Sequence, residues 1–162
     1  MKGAAMAMTV DELIQALDEN GISHQVPDEF DDRVVIGVAT EGYIDQDGNQ
    51  GIPIQLCLAE AGSVAYFFVA LPLFEHVLSP VSPLMSLPNR ERLLEFTNHV
   101  NNQVKFSGFS VDDSDDVVFL YALPIEEEGQ KLGVATIARI CEATADAVDM
   151  LYRLLAEADS NE

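Results

Sequence analysis

The stretch from Asn98 to Glu157 constrains the fold most, because it reads as the end of a helix, a β-hairpin and then one long helix. Two apolar runs, Val104–Val111 and Val117–Leu123, flank the acidic turn Asp112-Asp113-Ser114-Asp115-Asp116, which is the pattern of a hairpin. The second run is apolar on both alternating faces, with Val117, Phe119, Tyr121 and Leu123 on one and Val118, Leu120 and Ala122 on the other. Runs of that kind mark strands covered on both sides. The helix is expected over Val134 to Ala158, where Ile137, Ile140, Cys141, Thr144, Val148, Leu151 and Leu155 recur at helical spacing.

Upstream, Thr9 and Glu12 have the spacing of a capping box, so a helix is expected from Val10 to Asn20. Val10, Leu13, Ile14 and Leu17 form its apolar stripe, and Asn20-Gly21 supplies a left-handed stop. Three strands follow, Val34–Ala39, Gly51–Ala59 and Val64–Leu71. The last two are joined by the short turn Glu60-Ala61-Gly62-Ser63. Val64–Leu71 is again apolar on both faces around Tyr66, Phe67 and Phe68. Leu73–Asn89 is interrupted by Pro80, Pro83 and Pro88, which forbid a continuous helix. A second helix is expected from Arg90 to Asn102 behind an Asn89 cap, with Leu93, Leu94, Thr97 and Val100 on one face. The order is α-β-β-β-α-β-β-α. It predicts a single α+β domain over residues 1–162, an antiparallel sheet of about five strands with helices packed on it. Residues 1–8 and 159–162 are expected to be disordered.

Charge excludes whole classes of partner. With 28 acidic residues against 8 basic ones the net charge is −20 over 162 residues. Phosphate backbones and anionic membrane surfaces both require Lys or Arg, so nucleic acid and membranes are not expected as partners. Attraction to basic partners and solubility are what such a charge favours. At 48% hydrophobic and 22% charged residues, the chain has enough apolar matter for a core. Cys57 and Cys141 sit in apolar runs and read as small core residues, with no C-x-x-C pair. The apolar run at the start is too short for a signal peptide, and no window approaches a membrane span. A cytoplasmic location is the expectation.

Candidate chemistry is sparse. Asp45-Gln46-Asp47-Gly48-Asn49 resembles the start of a calcium loop, but Gln50 stands where that loop needs glycine and Leu56 where it needs a bidentate glutamate. A turn is the better reading. His24, His76 and His99 are scattered singly, without the spacing of a zinc helix, and no nucleophile elbow, phosphate loop or dinucleotide glycine pattern occurs. No catalytic residue, metal ligand or cofactor is expected.

The run Leu94-Glu95-Phe96-Thr97-Asn98-His99-Val100-Asn101-Asn102, the hairpin after it, and a helix containing Ala143-Thr144-Ala145-Asp146-Ala147-Val148-Asp149 resemble the YbjN-like family and, more broadly, the type III secretion chaperone-like fold. That resemblance implies an α+β domain, frequently a homodimer, that lacks catalytic residues and binds protein segments. The expected function is therefore that of a non-catalytic acidic protein, chaperone-like or regulatory and homodimeric, capturing a protein or peptide segment, basic in character, on apolar sheet or loop surface. The proline-punctuated segment supplies the candidate protein-binding residues Phe74, Val77, Leu78, Leu84 and Met85. Two other classes make distinct expectations. A small enzyme would pair His99 or His76 with a carboxylate, and an acidic nucleic-acid mimic would space carboxylates along one face and bind a basic protein.

Overall fold

The computed structural model describes residues 8–45, 47–60, 62–71, 89–103, 108–114, 116–125 and 132–160. In chain order these form α1 (Val10–Glu19), β1 (His24–Gln25), β2 (Arg33–Val38), β3 (Ile52–Ala59), β4 (Val64–Leu71), α2 (Asn89–Gln103), β5 (Gly108–Val111), β6 (Val117–Pro124) and α3 (Val134–Ser160). The six strands make one antiparallel sheet in the order β1-β2-β3-β4-β6-β5. The fold is α+β, with one strand more than the sequence predicts. The added β1 is two residues long, pairing His24 with Ile36 and Gln25 with Val35. A polar pair of residues carries no alternation that could announce a strand.

By contact density the chain divides into two compact units, Met1–Val38 with Pro53–Phe68 and Tyr121–Glu142, and Ala39–Ile52 with Val69–Leu120 and Ala143–Glu162. The first holds α1, whose capping box forms as the sequence predicts. Glu12 donates its N–H to Thr9 Oγ1 at 3.2 Å, and Thr9 donates its own to Glu12 Oε2 at 3.0 Å. Gly21, at φ 66°, ends the helix, with Ile22 N–H reaching back to the Leu17 carbonyl at 3.0 Å. Leu13 and Leu17 are fully buried, and α1 packs on β2. Strand alternation then sorts the sheet. Val34, Ile36, Ile54, Leu56, Leu58, Ala65 and Phe67 point inward and are buried. Register places Leu56 opposite Phe67 and Leu58 opposite Ala65.

The turn joining β3 to β4 leaves no room for a side chain at Gly62. Its φ is 80°, and a Cβ there would overlap the Met8 carbonyl oxygen. Met8, which the sequence assigns to a disordered start, is instead 1% exposed. Its backbone lies against this turn, a contact that no local pattern encodes.

In the second unit α2 packs on β5. Thr97 and Val100 are buried on the face the sequence predicts, and the Thr97 hydroxyl is satisfied by the Leu93 carbonyl at 2.6 Å. Leu94, placed on that same face by its spacing, is 46% exposed. β5 begins at Gly108, and residues 104–107 of the expected strand lie outside the described residues. The hairpin turn is tied by Asp112, whose Oδ1 accepts the N–H groups of Ser114 and Asp116 at 2.9 and 3.0 Å. Phe109 and Phe119 are cross-strand partners in edge-to-face contact, their centroids 5.3 Å apart. All seven residues of the stripe read on the long helix are buried.

Candidate binding surface

Inward packing of alternate residues turns the other set outward. In the first unit the outward positions are Arg33, Val35 and Gly37 on β2, Pro53, Gln55, Cys57 and Ala59 on β3, and Val64, Tyr66 and Phe68 on β4. Gln55 stands opposite Phe68, Cys57 opposite Tyr66 and Ala59 opposite Val64. Most of these side chains are half-buried, and Gly37 and Pro53 are exposed. The outward face is therefore apolar and aromatic along β3 and β4, with a polar corner on β2.

That corner is tightly organised. Arg33 Nε and Nη2 donate to the two carboxylate oxygens of Asp32 at 2.8 and 3.3 Å, and Nη1 donates to Gln55 Oε1 at 2.9 Å. The guanidinium carbon sits 4.0 Å from the centroid of the Phe30 ring, which is 45% exposed. The hydrogen bonds from Arg33 hold the Asp32 carboxyl below the usual carboxylate range, and Asp32 in turn raises the Arg33 guanidinium. Asp28, Glu29 and Asp31 are exposed in the loop that carries Phe30. The Arg33 guanidinium is thus bound to the neighbouring Asp32 carboxylate, beside the exposed carboxylates of Asp28, Glu29 and Asp31.

Cys57 corrects a sequence expectation. It is half-buried on the outward face, and burial raises its thiol. Cys141 is the core residue expected, its thiol pushed up to about 11 by burial.

In the second unit three consecutive backbone N–H groups, of Glu41, Gly42 and Tyr43, converge on the Asp149 carboxylate at 2.8, 2.9 and 2.9 Å. Such a concave run of amides is an anion-holding arrangement, and here the protein's own carboxylate fills it. Tyr43 is buried and meets Tyr152 edge-on at 5.7 Å. Beside this clamp Glu41, Asp146, Met150, Tyr152 and Arg153 line an open groove of about 520 Å³. The Asp45 loop is a turn, as expected. Its carboxylate accepts from the N–H groups of Asp47 and Asn49 and from the Asn49 amide. The bonds from Asn49 hold it below the ordinary range.

The sequence-predicted binding residues Phe74, Val77, Leu78, Leu84 and Met85 lie outside the described residues, as does His76. His99 is exposed on α2. His24, which the enzyme reading did not single out, donates from Nδ1 to the Ile22 carbonyl at 2.9 Å, and its Nε2 lies 3.6 Å from Asp18. Among the described residues no three His, Cys, Asp or Glu side chains come together as a metal site. None of their helices is long and apolar enough to cross a membrane.

The family model for YbjN, described as a putative bacterial sensory transduction regulator, matches residues 9–157. The chain belongs to the YbjN family. A crystal structure of YbjN, a putative transcription regulator from E. coli, superposes with a TM-score of 0.52 at 12% sequence identity, covering 92% of this chain and 92% of that one. At that identity the likeness is one of fold. No curated protein matches the chain in sequence. The hairpin-and-helix pattern of the sequence lies within the residues that the family model matches.

Proposed function

We propose that this chain is a regulatory protein without a catalytic site of its own, acting in a chaperone-like manner by holding a segment of a partner protein on the outward face of β2, β3 and β4. The regulatory character accords with the family's description. One observation carries the mode of action: the apolar outward row Cys57, Ala59, Val64, Tyr66 and Phe68 adjoins a corner where Asp28, Glu29 and Asp31 are exposed and the Arg33 guanidinium is already bound to Asp32. An apolar strip with an acidic margin fits a segment in which apolar residues alternate with Lys or Arg. Such a segment seats its apolar side chains on the sheet while its cations meet the carboxylates. The net charge of −20 draws a basic segment in and pushes a second copy of the chain away.

The test uses a labelled short peptide alternating valine or phenylalanine with lysine, and a matched peptide with glutamate in place of lysine. The lysine peptide binds the full chain and the glutamate peptide does not. Binding weakens with salt and is lost in the double variant Tyr66→Ser/Phe68→Ser, compared with wild type at a temperature where circular dichroism shows both folded. Equal binding to wild type and variant would mean that the peptide merely adheres to acidic surface, and the proposal would fall. Light scattering on the unliganded chain distinguishes the alternative occupant, a second copy on the same face.

A further inference from the structure

Arg33 fixes the orientation of an amide on the neighbouring strand. Its Nη1 donates to Gln55 Oε1 at 2.9 Å. A guanidinium has five donors and no acceptor, so the oxygen of the Gln55 amide must face it and the NH2 group must turn away. The guanidinium is itself held, by the two Asp32 oxygens at 2.8 and 3.3 Å and by the Phe30 ring, 4.0 Å from its carbon. Asp32, Arg33 and Gln55 thus form a chain of bonds that runs one way and ends in two N–H donors. Among the described residues no group accepts from those donors.

The donors stand on the part of the outward face that is otherwise apolar. Gln55 is half-buried opposite Phe68, and the next outward pair is Cys57 with Tyr66. Water satisfies the NH2 group while the face is open. A segment seated on Tyr66 and Phe68 removes that water, and a buried donor left without an acceptor costs more than an ordinary hydrogen bond contributes. A surface built around a polar group therefore rejects a ligand that is apolar at the same point. The acceptor it selects is neutral. Asp28, Glu29 and Asp31 are exposed at this corner, and the chain carries a net charge of −20, so a carboxylate is repelled.

We propose that Gln55 is a specificity-determining residue of the outward face, and that the segment held there carries a side-chain amide oxygen, of Asn or Gln, at the position that meets it. This specificity rests on the binding function proposed for the face and adds a chemical requirement to it. The segment is apolar where it covers Tyr66 and Phe68, cationic at the acidic margin, and interrupted by one amide.

The test takes the valine–lysine peptide as parent, with two series in which each valine in turn becomes asparagine or aspartate. Binding to the full chain is followed by fluorescence anisotropy. At least one asparagine peptide is expected to bind wild type about tenfold more tightly than the parent, the scale of one hydrogen bond gained in place of a donor left unmatched. Its aspartate counterpart gains nothing. Gln55→Met, apolar and of the same length, abolishes the asparagine gain and binds the parent at least as tightly as wild type does. Gln55→Leu serves if circular dichroism shows the methionine variant misfolded. The favoured asparagine peptide also shifts the Gln55 side-chain amide signals in NMR, and the parent does not shift them in the same direction. Parent binding that is lost in Tyr66→Ser/Phe68→Ser establishes the face independently, so a wild type that binds the parent yet prefers no asparagine peptide overturns the role of Gln55 alone. An asparagine preference that survives in Gln55→Met overturns it too, as does an equal gain from aspartate. If wild type binds neither the parent nor any member of the series, the face and the role of Gln55 fall together.

Discussion

Asp149 of α3 accepts the backbone N–H of Tyr43 at 2.9 Å across 106 residues of chain. The same carboxylate also takes the N–H groups of Glu41 and Gly42. The loop after β2 is thereby fixed to the C-terminal half of the long helix, where Tyr43 is buried against Tyr152.

Replacing Asp149 with alanine leaves three amides without their acceptor. Two of the three bonds are solvent-exposed, so water recovers part of the loss, and the cost is expected at about 1–2 kcal/mol in urea unfolding. Asp149→Asn keeps one acceptor oxygen and is expected to cost less. Hydrogen exchange at Glu41, Gly42 and Tyr43 should quicken in the alanine variant while the amides of β3 stay protected. Unchanged exchange at all three would show that the clamp does not hold the loop.

At Gly62 the expectation is steeper. Alanine there meets both a positive φ and the Met8 backbone, whose nitrogen would lie 2.9 Å from the added carbon. Strain at such a position is of order 1–3 kcal/mol before the overlap is relieved. Gly62→Ala should lower the urea midpoint clearly, whereas Gly37→Ala, with open space around it, should change it little.

Local patterns were legible in the sequence and distant ones were not. Thr9 with Glu12, and Asn20 with Gly21, encode the two ends of α1 within a few residues, and the structure forms both. The α3 stripe was readable because seven apolar positions at one period leave little choice of face. The same periodicity misplaced Leu94, because α2 is too polar for a stripe to fix its rotation. Asp149 and Asn101 gave no signal at all. An aspartate on a helix and an asparagine near a helix end have ordinary local roles, and only the folded chain brings them to the main chain of a loop and an edge strand. The outward face was half visible: continuous apolar runs announced two covered faces, while the structure leaves Tyr66 and Phe68 half-open.

Acid titration separates two carboxylates from the rest. Hydrogen bonds from Asn49 lower the Asp45 carboxyl, and those from Arg33 lower Asp32. For a group depressed by folding, the stabilisation is present above its unfolded value, near 3.8 in both cases, and is lost as pH falls through the folded value. Carboxyl carbon shifts followed by NMR from neutral to acid pH should therefore show Asp45 and Asp32 protonating after the bulk of the exposed acids. Asn49→Ala should move Asp45 back toward the ordinary range and leave Asp32 in place. A midpoint for Asp45 at the level of the exposed aspartates would contradict the turn geometry.

The two thiols make a footprint of the proposed binding face. Cys141 is buried in α3 with its thiol raised to about 11, so at mildly alkaline pH almost none of it is thiolate and reagents do not reach it. Cys57 is also raised by burial, yet it is half-open on the outward face opposite Tyr66. A small alkylating reagent should modify Cys57 first, slowly, and Cys141 only on unfolding. If the lysine-bearing peptide seats along β3 and β4, saturating amounts of it should slow the Cys57 reaction several-fold and leave the Cys141 rate unchanged. Peptide that binds without protecting Cys57 would place the contact elsewhere on the protein.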